Sequence, residues 1–228
     1  MTTQERLSLA NLTRVGSQLG TNPASIYENN EGDRFYLKML ESPMHARNEW
    51  IAAQLYKLTG APVFDYIPCE DNCHIATRWQ PLDKRYLVQF TQQERRQAQH
   101  WLAVHAWTAN WDAAGFNGDN QGCADGRVLT LDVGGALYYR AHGDPKGQAF
   151  GTRVSELDSL RTNPENPHAV QLFADMTNAE IRASIQMVTQ LADDAITKTI
   201  RENGGSLKLA EKMLARKADL ALQMKKFD

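Results

Sequence analysis

At Thr91 the chain changes its pattern of apolar residues. Before it, short alternating runs are broken by turn residues; after it, apolar residues recur every three or four positions. LTRVGSQLG and then ASIYENNEGDRFYLKML read as a hairpin-rich start, with Glu31, Gly32 and Asp33 as the turn between two strand-like runs. One helix interrupts. SPMHARNEWIAAQLYKLTG has Ser42 as N-cap, Pro43 in the first turn, Ile51, Leu55 and Leu58 at helical spacing, and Gly60 as a stop. Two more strands, APVFDYIPCE and NCHIATRWQ, flank an Asp71-Asn72 turn. The expected order is strand, strand, strand, helix, strand, strand.

Beyond that point TQQERRQAQHWLAVHAWTANW reads as one long helix, with Trp101, Leu102, His105 and Ala106 on its repeat. A Gly- and Asn-rich stretch, DAAGFNGDNQGCADGR, leads into VLTLDVGGALYY, a buried strand ending at a glycine pair. From about Ser155 the chain is helical to its end: SELDSLR, NPHAVQLFADM, TNAEIRASIQMVTQLADDAITKTIRE and SLKLAEKMLARKADLALQMKKF. Thr177 followed by Glu180 is a capping box. The 228 residues fit one α+β domain of two lobes better than two independent domains.

Several function classes fall away on composition. A net charge of −2 with scattered basic residues offers no footprint for nucleic acid or an anionic membrane. No stretch of 18 apolar residues occurs, so stable membrane insertion is not expected. Cys69, Cys73 and Cys123 are odd in number and too few for a disulfide framework, which favours a reducing compartment. Cys69, Cys73 and His74 lack the second pair that a zinc site needs. The N-terminus is polar, without an apolar signal region, and the expected location is cytoplasmic, with export as an effector through a non-cleaved signal as the alternative. There is no Gly-x-Ser-x-Gly elbow, and His100 and His105 lack the Glu arrangement of a zinc hydrolase.

What remains is a set of polar residues in apolar surroundings. Lys38 lies in FYLKML, where a charge is costly without a partner, and the following helix supplies Glu49. Asp112 begins a loop after the core helix, a position from which a carboxylate can orient a hydroxyl. Two asparagines follow, and either could be a magnesium ligand. Asn117 stands five positions after Asp112, the usual catalytic-loop spacing. Asn120 is preferred, because the 12 positions from it to Asp132 suit two short strands around an Asp125-Gly126 turn. Asp132 ends an apolar strand, and the Gly134-Gly135 pair lets the backbone bend away from a metal there. Phosphoryl transfer asks for these groups: a cation on the phosphates, carboxylates for magnesium, and a residue that orients the acceptor.

Over roughly residues 10 to 140 the order Lys38, Glu49, Asp112 with Asn117 or Asn120, and Asp132-Val133-Gly134 resembles the protein-kinase-like superfamily. The likeness is to its small bacterial and phage members and to HipA-like and phosphatidylinositol-4-kinase-like relatives. It implies a bilobal fold, with an antiparallel sheet and one helix over residues 1–80 and a mostly helical lobe over 81–228. It also implies ATP and magnesium as cofactors. Lys38, Glu49 and Asp112 would be catalytic, Asn117, Asn120 and Asp132 the candidate metal ligands. Gly16, Gly20, Thr21 and Ser25 would cradle phosphates in place of a three-glycine loop, and Thr77 and Trp79 would border the adenine. The catalytic loop departs from His-Arg-Asp, reading Asn110-Trp111-Asp112, and no Ala-Pro-Glu anchor follows the metal motif.

The acceptor expected from the resemblance is a Ser or Thr of a protein, such kinases including effectors, toxins and phage proteins. A lipid or small-molecule kinase and an inactive kinase-like binding module are the alternatives. Lys208, Lys212, Arg216, Lys217, Lys225 and Lys226 interleave with Leu and Met at the C-terminal end, a stripe that could dock a partner.

Overall fold

The computed structural model describes residues 6–17, 23–83 and 85–227. Among these, β1 (Thr13–Arg14), β2 (Ala24–Glu28), β3 (Arg34–Met39), β4 (Tyr66–Pro68) and β5 (His74–Arg78) form an antiparallel sheet in the order β1-β2-β3-β5-β4. The turn between β2 and β3 is organised by Asn29, whose side-chain oxygen accepts from the amides of Glu31 (3.0 Å) and Asp33 (2.8 Å). Helix α1 (Pro43–Thr59) follows β3, starting after Ser42 and stopping at Gly60. Strand order and helix position are those expected from the sequence.

β3 serves two faces. Phe35 and Leu37 join Cys69 and Ala76 in a small second core, against which Leu7, Leu9, Leu12, Tyr27 and Ile67 pack. Side chains alternate along a strand, so Tyr36 and Lys38 project from the other face, toward the main core and α1. Cys69 belongs to this second core, and burial pushes its thiol up to about 12. Among the described residues no three His, Cys, Asp or Glu gather as a metal site.

The long helix expected after Thr91 is two. α2 (Gln92–Gln99) opens with a Thr91–Glu94 capping box, and α3 (Leu102–Trp107) starts after a turn at His100 and Trp101. The break re-aims the chain so that all six residues of α3 are buried, which a continuous amphipathic helix would not allow. The run from Thr177 also divides, into α6 (Asn178–Thr189) and α7 (Asp193–Glu202). β6 (Gln121–Ala124) and β7 (Arg127–Thr130) form the expected hairpin, with Asp125 and Gly126 at φ 52° and 73°. α4 (Glu156–Thr162), α5 (Pro167–Phe173) and α8 (Leu207–Gln223) complete the helical part. Among the described residues no helix is long and apolar enough to cross a membrane.

α8 does not carry a continuous basic stripe. Arg216 is 0% exposed and donates to the carbonyls of Ala106, Trp107, Gly151 and Arg153 and, at 2.8 Å, to Glu156. Lys212 donates to the Phe150 carbonyl, and Lys217 to Leu191 and Asp193. Lys208, Lys225 and Lys226 are exposed. The sequence pattern registered charge; packing sends half of it inward.

Candidate active site

Lys38 is buried on β3, and its ammonium lies 3.0 Å from Glu49 Oε1 and 2.8 Å from Asp132 Oδ2. Burial alone would lower the lysine's pKa, but Asp132 and then Glu49 more than reverse this and hold it charged. Glu49 is 2% exposed; burial raises its pKa, and Lys38 opposes that rise. The Tyr66 hydroxyl donates to Glu49 Oε1 at 3.2 Å. Two further contacts fix α1. Asn48 donates to the Ala136 carbonyl (2.9 Å) and accepts from the Tyr138 amide (3.0 Å). Two turns along, Tyr56 shares its hydroxyl with His105 and Asn110. Glu49 therefore sits on a helix anchored beside it at Asn48 and two turns further on at Tyr56.

Asp132 lies two residues beyond β7, and its side chain is 35% exposed. Its Oδ1 accepts from the Gly134 amide at 2.7 Å. Although burial acts to raise it, Lys38 beside it takes the Asp132 pKa below the usual carboxylate value. A Cβ on Gly134 would stand 2.9 Å from Glu49 Oε2 and 3.1 Å from Asp132 Oδ1, so the backbone passes where a side chain would displace both.

Asp112 follows α3 across a short turn. Asn120 donates through its amide to the Asp112 carbonyl (2.8 Å) and carboxylate (2.9 Å), which fixes that carboxylate and leaves the Asn120 oxygen as its acceptor end. Burial first, and then the neighbouring Asp132, push the Asp112 pKa up to about 6. Lys38, Asp112, Asn120 and Asp132 line one cavity of about 380 Å³, with Asn117 and the exposed Phe116 also on its wall. Asn117 is exposed, whereas Asn120 is the asparagine bonded to Asp112.

The donor set fits magnesium: one carboxylate and one amide oxygen beside a fixed cation match an ion that keeps few protein ligands and takes the rest from phosphate and water.

The other expected nucleotide contacts divide. At Val15 and Gly16 both amides reach the Ile26 carbonyl (2.8 and 3.1 Å), a β-bulge in which a Cβ on Gly16 would meet the Ile26 side chain at 2.9 Å. Ser25 pairs with Leu37 and shares its face, so its hydroxyl projects away from Lys38; the expected phosphate contact is corrected by the two-residue period of β2. Gly20 and Thr21 lie outside the described residues. Thr77 pairs with Tyr36 and Tyr66, on the face that carries Lys38. Trp79 continues the strand through its amide to the Arg34 carbonyl, half-buried beyond β5. Sequence reasoning missed Asn48 and Tyr66. The only signals were the position of Asn48 beside Glu49 on the buried helix face and that of Tyr66 within a strand run.

No protein-family model matches the chain, and no curated protein matches it in sequence. Among solved structures, the Helicobacter pylori proinflammatory kinase CtkA aligns with a TM-score of 0.66 over 98% of each chain, at 10% identity. An aminoglycoside phosphotransferase from Alicyclobacillus acidocaldarius aligns at TM-score 0.41 and 9% identity over 96% of this chain and 95% of that one. A macrolide 2'-phosphotransferase from Brachybacterium faecium aligns at 0.39 and 13% identity, over 92% and 91%. The chain has a protein-kinase-like α+β fold.

Proposed function

We propose that this protein transfers the γ-phosphate of ATP to a hydroxyl group, with Ser or Thr of a protein as acceptor. One observation carries the reading: the Lys38 ammonium sits between Glu49 and Asp132, and the Asp112–Asn120 pair faces the same cavity. The fold shared with a structure named as a kinase supports it.

In this reading Lys38 holds the α- and β-phosphates, and Glu49, locked by Tyr66 and Asn48, keeps the ammonium in place. Asp132 and Asn120 would hold magnesium, which would neutralise charge on the phosphates during transfer. Asp112 orients the acceptor hydroxyl and takes its proton late; the Asn120 amide keeps the carboxylate aimed. Thr77 and Trp79 border the adenine. We place the activity in the cytoplasm, where free Cys69, Cys73 and Cys123 persist as thiols.

The test is ATP titration by calorimetry with and without magnesium, on the wild type and Asp132→Ala, followed by labelled phosphate transfer to the protein itself and to a protein mixture. Magnesium-dependent binding that the variant loses, with label on Ser or Thr, supports the proposal. Absence of binding in the wild type turns the reading to a kinase-like binding module.

A further inference from the structure

Three non-glycine residues among those described have left-handed backbone: Ala109 (φ 56°), Asp125 (φ 52°) and Leu137 (φ 57°). Asp125 belongs to the β6–β7 turn, where such geometry is routine. The other two flank the candidate site, Ala109 before Asp112 and Leu137 after Asp132. An alanine or leucine pays for that conformation in sterics between Cβ and backbone, so the surroundings must hold it.

One side chain holds both. Lys146 Nζ donates to the carbonyls of Ala109 (2.7 Å), Gly135 (2.7 Å) and Leu137 (3.0 Å); burial pushes its pKa down to about 7, and three carbonyl acceptors around one Nζ favour the charged form with its three protons. The lysine is itself fixed, because its amide donates to the Tyr138 carbonyl at 2.8 Å and closes a short hairpin bridged at Tyr139 and Pro145. A second link parallels the lysine: the Leu137 amide donates to the Thr108 carbonyl at 2.7 Å. Lys146 lines the cavity that holds Asp112, Asn120 and Asp132, yet these three bonds run to main-chain carbonyls.

We propose that Lys146 is a positioning residue that ties the Asp112 loop to the Asp132-Gly135 turn, so that the acceptor-orienting carboxylate and the metal-holding carboxylate keep one separation. Its consequence for catalysis rests on the phosphotransferase reading; the tie itself does not. A neutral side chain of similar length fills the space but cannot donate. A glycine at position 109, by contrast, adopts positive φ without help and so removes part of what the lysine has to hold.

The experiment compares wild type, Lys146→Met and Lys146→Met/Ala109→Gly by steady-state kinetics and by amide hydrogen exchange. In Lys146→Met we expect kcat to fall about 100-fold, as for a displaced reacting group, with the KM for ATP little changed. The added glycine restores about tenfold of that loss by relieving the left-handed residue. Exchange at the Leu137 amide quickens about tenfold or more while α6 and α8 keep their protection. Unchanged exchange at Leu137 overturns the proposal, and so does uniformly faster exchange with no recovery in the double variant. If Lys146→Met does not fold, folding of the double variant supports the proposal and its failure to fold overturns it. A wild type that does not turn over ATP sinks the catalytic reading alone, since the exchange comparison still decides the tie.

Discussion

Asn120 and Asp112 share two hydrogen bonds, from one amide to the carbonyl (2.8 Å) and the carboxylate (2.9 Å) of the aspartate. In the proposed reaction this one asparagine would aim the carboxylate at the acceptor while its own oxygen stays available to a metal. Asn120→Ala should lower kcat about 100-fold through loss of that aim, and Asn120→Asp should do worse by placing a second carboxylate against the first. Asn117→Ala, at an exposed position, should stay near wild type. Steady-state kinetics on the three variants checks this, and equal losses at 117 and 120 would reassign the metal ligand.

Lys38→Met leaves Glu49, 2% exposed, without its cation. Breaking a buried pair by removing one partner should cost about 3–5 kcal/mol in urea unfolding. Lys38→Met/Glu49→Gln should recover most of that stability but none of the ATP binding. A double variant as unstable as the single would mean that the pair is not the source of the loss.

Gly134→Ala places a methyl 2.9 Å from Glu49 Oε2 and 3.1 Å from Asp132 Oδ1. Both neighbours are ends of side chains, so the fold should survive while the carboxylates shift. Magnesium-dependent ATP affinity should drop about 10- to 100-fold, with little change in thermal midpoint. A calorimetric titration showing wild-type affinity would refute the close packing of this turn.

His105 is 0% exposed, and burial lowers its pKa to about 3. In the unfolded chain it titrates near its ordinary value of about 6.5, so below that pH the unfolded state binds a proton the folded state refuses. Stability therefore falls as pH falls from about 6.5 toward 3, by about 1.4 kcal/mol per pH unit for this residue. His105→Gln should lose less stability than the wild type between pH 7 and pH 5, by about 2 kcal/mol. Urea midpoints at the two pH values decide it; parallel curves would place the proton uptake on unfolding elsewhere.

Much of the site was legible because it rests on local chemistry. A lysine inside FYLKML has to find a carboxylate, and Asp-Gly between apolar runs makes a hairpin; both expectations match the geometry. Three kinds of feature were not legible. Ser25 depends on which face of β2 meets the site, and that follows from pairing with β3 rather than from its neighbours in sequence. The division of the helices at His100–Trp101 and Gln190–Ala192 is set by what each segment can bury. Arg216 looks in the sequence like one member of a basic stripe and Lys146 carries no signal at all, since most of the partners of the one and the three Nζ partners of the other are main-chain carbonyls, which leave no mark on composition.

The alternation along β3 bears on how such a chain can change over time. Phe35 and Leu37 fill one compartment while Tyr36 and Lys38 face the other, so this strand tolerates replacement far better than a change of length. Loss of Tyr36 or Leu37 would turn the lysine into the apolar compartment and bring Met39 to the place that faces Glu49, at the cost of one residue's backbone in the sheet. The site can therefore be erased by a deletion that leaves the architecture standing, and side-chain identity elsewhere on the sheet is free to drift while the reading frame of β3 is not.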